Sequence, residues 1–274
     1  MHRILPLLLI LLFSFYSLTV DAEVLQHRYI DKKYVDMISE FRSGAGHDYS
    51  YEASIIASGF YELETDPSEN NRSMKHYFLI EKRYRGDDTT IPIYAPFNGI
   101  IYRVSNELNE GIYRGKQIWI KSIGQPGYYL IIFHVNLSET FPQIWNDYPK
   151  ELWEHWKPDD DQYDRITMQA GEIIGYADTR VTSASDVAVL HKISEQEYHY
   201  RSYFDSAVMP DSIFQDFVRR GVSERSDLII SKEYRDANPI PEDHPWSDYD
   251  PNDWVILNNV SSSMSSTILL LLEK

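Results

Sequence analysis

The feature that most constrains the fold of this chain is a series of short apolar segments separated by Gly and Pro turns. The first runs from Ile91 to Val104 and contains the turn residues Pro96 and Gly99. Residues 116–121 and 128–135 follow with β-branched and aromatic side chains, and the series ends at residues 168–175. Strand-like segments bounded by turn residues are typical of antiparallel β structure rather than of helices.

Two further strand-like segments extend this series in both directions. His76-Tyr77-Phe78-Leu79-Ile80 precedes it, and residues 186–191 follow it. We therefore predict a mainly β domain over residues 75–195, an antiparallel β-sandwich or sheet. Residues 138–165, which are acidic and contain three tryptophans, interrupt the alternation and are predicted to be a surface insertion. The pattern predicts one continuous core from Ile93, Ile101, Ile118, Ile120, Ile131, Phe133, Ile173 and Val187.

The segments that flank this domain lack the same alternation. Residues 23–74 are predicted to hold a short N-terminal helix, up to Glu40, followed by a loop. Residues 196–237 are predicted to be a helical extension, because residues 210–221 have acidic residues early, basic residues late and a terminal Gly. The acidic, Ser-rich residues 238–274 are predicted to be a loose tail.

The N-terminus has the pattern of a secretory signal peptide over residues 1–22. A basic start is followed by the apolar run from Ile4 to Tyr16 and by Val20-Asp21-Ala22, which suits cleavage before Glu23. The apolar run is shorter than the roughly 20 residues of a spanning helix, so we expect export and no transmembrane anchor after cleavage. The predicted location is secreted, periplasmic or extracellular.

Charge and cysteine content restrict the possible partners. Cleavage removes Arg3 and Asp21, so the mature chain keeps the formal net charge of −16. Such a chain repels nucleic acid and anionic lipid. The chain has no cysteine, so an exported form folds without disulfides and depends on its core.

The order of these segments resembles the core of the lysostaphin-type (LytM-like) zinc endopeptidases, which have the duplicated hybrid motif fold. The resemblance covers about 120 residues, from His76 to His191, and is most specific between Ile91 and Gly175. It implies a His and, four residues later, an Asp as zinc ligands, and a later His-x-His strand. It also implies an assisting His in a strand that Phe133-His134-Val135-Asn136-Leu137 matches well.

The chain departs from that pattern at the metal ligands. His76 occupies the first ligand position, but Ile80 stands where the Asp is expected. Asp186 and Ala188 stand at the two His positions of the His-x-His strand. His47 and Asp48, in a loop rich in small residues, are the nearest replacements. The resemblance thus implies His134 and Asp186 as catalytic candidates and His76 as a metal candidate. His47 and Asp48 are further metal candidates because their loop could reach the same groove, with zinc as the metal such donors would take.

Several functions remain open at this point. We predict a catalytically degenerate member that binds a cell-wall, glycan, peptide or protein ligand in the former active-site groove. One alternative is a hydrolase with a rearranged zinc site, and another is a scaffold whose groove is filled by its own insertion. A further alternative is that the histidines are strand and loop residues satisfied by their neighbours. The five candidates are predicted to converge if residues 75–80 and 128–135 are neighbouring strands with His76 and His134 on one face.

Overall fold

The computed structural model describes residues 24–50, 64–65, 69, 71–109, 112–137, 166–194, 197–219, 221–246 and 251–257. The predicted signal peptide, residues 1–22, and the predicted insertion, residues 138–165, lie outside the described residues.

The described part of the chain is mainly β, as the sequence predicts. Antiparallel neighbours need no crossover helix, and turns and loops connect the strands. The strands are β1 (Val35–Ser39), β2 (Glu64–Thr65), β3 (His76–Ile80), β4 (Pro92–Tyr94), β5 (Gly99–Asn109), β6 (Ile112–Ser122), β7 (Tyr128–Leu137), β8 (Thr167–Met168), β9 (Ile173–Ala177), β10 (Ala184–Lys192), β11 (Glu197–Arg201) and β12 (Trp254–Ile256).

These strands form one sheet, whose main path runs β12-β1-β3-β10-β7-β6-β5-β8. β11 also pairs with β10, and β9 pairs with both β7 and β4. The pairs along this path are antiparallel, whereas the short β2 lies parallel to β11. β10 lies between β3 and β7, so it separates the two strands that were predicted to be neighbours.

The sheet buries apolar side chains on both faces. The larger cluster, on what we call the main face, includes Phe78, Ile118, Ile132 and Val187. The opposite face, which we call the loop face, packs Ile131 and Phe133 against Phe41 and Tyr49 of residues 41–50. The prediction of one continuous core was therefore wrong in two respects: Ile131 and Phe133 belong to the second cluster, and Ile173 is 38% exposed.

Three predictions for the flanking segments need correction. The N-terminal segment forms a 3-10 turn (Lys32–Tyr34) and then β1, not a helix, because Val35, Met37 and Ile38 are all buried within the sheet. The segment predicted to be a helical extension contains β11, and its helices are single turns or little more: α1 (Asp211–Phe214), a 3-10 turn (Arg225–Leu228) and α2 (Lys232–Ala237). The tail is not uniformly loose, since β12 pairs with β1 after a 3-10 turn (Pro251–Asp253).

A further 3-10 turn (Lys82–Tyr84) leads from β3 towards β4. Among the described residues, no helix has the length and apolar character needed to cross a membrane.

Candidate functional site

A buried ion pair joins β10 to the residue that precedes β3. Lys75 Nζ donates a hydrogen bond of 2.9 Å to Oδ2 of Asp186. The pairing register places Asp186 opposite Tyr77, and Lys75 lies two residues before Tyr77, so all three side chains project from the loop face. The side chains of Lys75 and Asp186 are 1% and 2% exposed, respectively. Two charges are therefore held together away from water.

Three aromatic rings surround the ammonium group of Lys75. Its Nζ lies 4.0 Å from the ring centre of Phe133, 4.7 Å from that of Tyr77 and 4.9 Å from that of Tyr49. Aromatic faces attract cations, most strongly where water is excluded. The rings and Asp186 together compensate part of the cost of burying this charge.

A β-bulge in β7 brings His134 to the same place. Ile132 pairs with Ile118 and Val135 with Lys116, so β7 uses three steps where β6 uses two. His134 is the extra residue, and its positive φ of +56° is a strained conformation for a residue other than glycine. The bulge shifts the alternation, so that Ile132 and Val135 both pack on the main face although they are three residues apart. His134, which follows the loop-face residue Phe133, can therefore point towards Asp186.

Both ring nitrogens of His134 contact acceptors. Nδ1 lies 2.7 Å from Oε2 of Glu107 and 2.7 Å from the carbonyl oxygen of Arg114, and Nε2 lies 3.4 Å from Oδ2 of Asp186. Burial opposes protonation of this ring, but the carboxylates of Glu107 and Asp186 outweigh it and raise the pKa of His134 to about 10. The ring is a cation that donates from both nitrogens.

We refer to Lys75, Glu107, His134 and Asp186 as the charge cluster. Two cations and two carboxylates make it formally neutral. Burial favours the neutral form of Asp186, but Lys75 and His134 outweigh this effect and hold the pKa of its carboxyl group below the usual range. Both cations contact Oδ2, whereas Oδ1 of Asp186 has no hydrogen-bond partner among the described residues.

His76 lies on the opposite face of the sheet, so the prediction that it converges with His134 was wrong. Its Nδ1 donates to the carbonyl oxygen of Ser39 at 2.8 Å, and its Nε2 accepts from the hydroxyl of Ser202 at 2.8 Å. The ring also packs edge-on against Phe204 of the main-face core. Burial lowers the pKa of His76 to about 4. It is a neutral core histidine whose two nitrogens are satisfied.

His47 lies beside the charge cluster, as the sequence predicts, but at the surface. Its ring centre is 6.0 Å from that of Tyr49 and 5.9 Å from that of Tyr77, and the residue is exposed. The pKa of His47 is lowered to about 3. The nearby ammonium of Lys75 is the largest cause, and partial burial of the side chain is the second. Gly46 lies directly against Tyr77, where a Cβ atom would collide with the ring.

Asp48 does not join the cluster. Its Oδ1 accepts hydrogen bonds from the backbone N–H groups of Ser50 and Arg72, at 3.1 and 3.2 Å. These bonds fix the turn of the loop. The structure thus brings together His134 and Asp186, places His47 next to them, and assigns His76 and Asp48 to structural positions.

Lys75 and Glu107 were not among the residues predicted from the sequence. Lys75 adjoins His76, and the alternation of a strand could have shown that a lysine one residue away points to the opposite face. No local signal singles out Glu107 in β5, because its position depends on the bulge in the non-adjacent β7.

The donor set does not fit the zinc that the resemblance implies. Zinc is held by three or four convergent donors, whereas here both ring nitrogens of His134 contact protein oxygens and Oδ2 of Asp186 is bonded to the ammonium of Lys75. Within the residues that the structure describes, no group of three or more His, Asp or Glu side chains is arranged to hold a metal ion.

Comparison with known proteins adds no family assignment. No protein-family model matches the chain, and no curated protein matches it.

Proposed function

We propose that this chain is a secreted, catalytically degenerate peptidase-like protein that binds a cell-wall, glycan or protein ligand at the surface above the charge cluster. The observation that carries the proposal is the hydrogen bond from Lys75 Nζ to Oδ2 of Asp186. In a metallopeptidase the corresponding region needs an open metal coordination position, and here a lysine ammonium supplies the positive charge instead. An ion pair in this place leaves no open metal position at which a water molecule would be activated.

The exposed residue His47 marks the surface at which a ligand would bind. It lies at the outer side of Tyr49 and Tyr77, which enclose Lys75. Because its pKa is well below neutrality, the ring is uncharged at pH 7 and can both donate and accept a hydrogen bond. Neutral polar groups beside aromatic rings suit the hydroxyl and amide groups of glycans and peptides.

Zinc titration of the exported protein, after dialysis against a chelator, tests the degenerate assignment. We expect no stoichiometric binding by calorimetry and no cleavage of crosslinked peptidoglycan with zinc present. One zinc per chain, lost in His134→Ala but kept in His199→Ala, would contradict the proposal. That result would favour the alternative of a hydrolase with a rearranged metal site.

Co-sedimentation with purified cell-wall sacculi tests the ligand assignment. We expect binding that His47→Ala weakens and that His199→Ala, on the distant β11, leaves unchanged. Equal sedimentation of the protein with and without sacculi would show that the cell wall is not the ligand. Binding that His47→Ala does not change would remove this surface as the site.

A further inference from the structure

The charge cluster holds an amine and a carboxyl group in direct contact, and this contact involves no ligand. Lys75 Nζ and the carboxylate of Asp186 are in hydrogen-bond contact at 2.9 Å, between side chains that are 1% and 2% exposed. They belong to adjacent chain segments that the sheet holds in register, with Val187 opposite His76. An amine and a carboxyl group in fixed contact without water are the reactants of an amide bond.

From this geometry we infer that Lys75 and Asp186 condense in the folded protein to form an intramolecular isopeptide bond. The bond joins Nζ of Lys75 to Cγ of Asp186, and the products are a neutral amide and one water molecule. The ammonium and the carboxylate together supply all the atoms of that water, so no oxidant, reductant or co-reactant is needed.

Proximity supplies the first requirement of this reaction. Reacting atoms in a productive arrangement are about 3 to 3.5 Å apart. Cγ of Asp186 is one covalent bond from Oδ2, which already contacts Nζ at 2.9 Å. The rings of Phe133, Tyr77 and Tyr49 enclose Nζ and prevent it from moving away. The two groups therefore react as parts of one preorganised unit.

Burial supplies the driving force. In water an ammonium and a carboxylate are more stable than the amide, because both ions are hydrated and water reverses the reaction. In a dry core the two ions lose that hydration, and a neutral amide removes both charges. After condensation, His134 and Glu107 remain as a cation and an anion in contact, so no unpaired charge is left behind.

His134 provides the proton transfer. The ammonium of Lys75 first passes one proton to Oδ2 of Asp186, along their hydrogen bond, and the free amine attacks Cγ. Nε2 of His134, 3.4 Å from Oδ2, then donates a proton to the departing oxygen and recovers one from the former amine. The oxygen leaves as water, and Oδ1 becomes the amide carbonyl oxygen.

The bond would give this cysteine-free chain a covalent link between neighbouring strands. The linked residues are 111 positions apart in sequence. A crosslink that closes so long a loop restricts the unfolded chain, as a disulfide does. This inference goes beyond the proposed function. The amide replaces the ion pair and has no carboxylate at position 186 to bind a metal, so it agrees with the degenerate assignment.

Peptide mapping of the purified wild-type chain tests the inference directly. Trypsin cannot cleave after a lysine whose Nζ is in an amide. We expect residues 73–82 to be recovered as one branched peptide joined to residues 181–192, lighter than the two peptides together by one water molecule. Fragmentation should place the link at Lys75 and Asp186.

Matched variants control for other linkages. Lys75→Arg keeps the charge but has no nucleophilic amine, and Asp186→Ala removes the carboxyl group, so both should yield separate peptides. Lys116→Arg, at another buried lysine, should keep the branched peptide. Recovery of a free 73–75 peptide and an unlinked 181–192 peptide from the wild type would overturn the inference, even if the variants fail to fold.

Discussion

Lys75 and His76 are consecutive residues whose side chains form hydrogen bonds on opposite faces of one sheet. Lys75 contacts Asp186 on the loop face, and His76 contacts Ser39 and Ser202 on the other side. The alternation of side chains along a strand makes this separation unavoidable. The residue of this segment that reaches Asp186 is therefore the lysine, and the neighbouring histidine is part of the core.

The neutral state of His76 predicts a loss of stability in acid. Its pKa is about 4 in the folded protein and about 6.5 in an unfolded chain, so the unfolded state takes up a proton first as the pH falls. The stability it contributes is complete above pH 6.5 and is lost between pH 6.5 and 4. Such a shift corresponds to about 3 kcal/mol in the free energy of unfolding.

Urea unfolding at several pH values measures this loss. His76→Asn should be less stable at pH 7 but should lose about 3 kcal/mol less than the wild type between pH 7 and 4. His199→Asn, on β11, should follow the wild-type dependence. Parallel stability curves for the wild type and His76→Asn would show that His76 does not remain neutral in the fold.

The sequence predicted those features of the fold that depend on local alternation. It located β3, β4, β5, the β6–β7 hairpin and β10, because turn and polar residues separate these apolar runs. A hairpin between β4 and β5 is not formed, since β4 pairs with β9 and β5 pairs with β6 and β8. The sequence prediction failed for β1, where Tyr34, Met37 and Ile38 also fit a helical spacing and only pairing with β3 and β12 makes the segment a strand. The strand conformation of this segment therefore depends on burial on both faces, which is a tertiary property.

The candidate site was less predictable because it depends on one extra residue. Regular alternation from Ile132 would place His134 on the main face, and the bulge alone returns it to the loop face. His134 and Asp186 were identified from the resemblance, without the two partners that determine their protonation. Lys75 and Glu107 become relevant only when β3, β5, β7 and β10 are brought together.

The contact of His134 with Glu107 predicts that its ring stays protonated in mild alkali. Its pKa of about 10 exceeds the value of an unfolded chain, so its contribution to stability is complete below pH 6.5 and is lost as the pH rises towards 10. In nitrogen-detected NMR, both ring nitrogens of His134 should have imidazolium shifts at pH 8. Glu107→Gln should lower this pKa, and Glu197→Gln, beside His199, should not. A neutral His134 ring at pH 8 in the wild type would contradict the assigned charges.

Burial on the loop face predicts a large effect at Ile131. The side chain is fully buried, and Ile131→Ala should lower the free energy of unfolding by about 2 to 4 kcal/mol through lost contacts and the cavity left behind. Ile123→Ala makes the same change in the β6–β7 turn, where the side chain is 53% exposed, and should cost less than about 0.5 kcal/mol. Equal destabilisation in denaturant titrations would mean that the loop-face cluster is not a packed core.

The bulge at His134 depends on the absence of a side chain at Gly115. A Cβ atom there would lie 2.9 Å from Cα of His134, and the backbone of Gly115 has a φ of +96°. Gly86 has a similar φ of +88° but no atom within 4 Å of the corresponding Cβ position. Both Gly→Ala variants should lose about 1 kcal/mol to backbone strain, and Gly115→Ala should lose about 1 to 3 kcal/mol more through the collision. Since that collision moves the backbone of His134, only Gly115→Ala should also shift the ring resonances of His134. Equal unfolding energies for the two variants, with unchanged His134 resonances, would show that β6 does not hold the bulge in place.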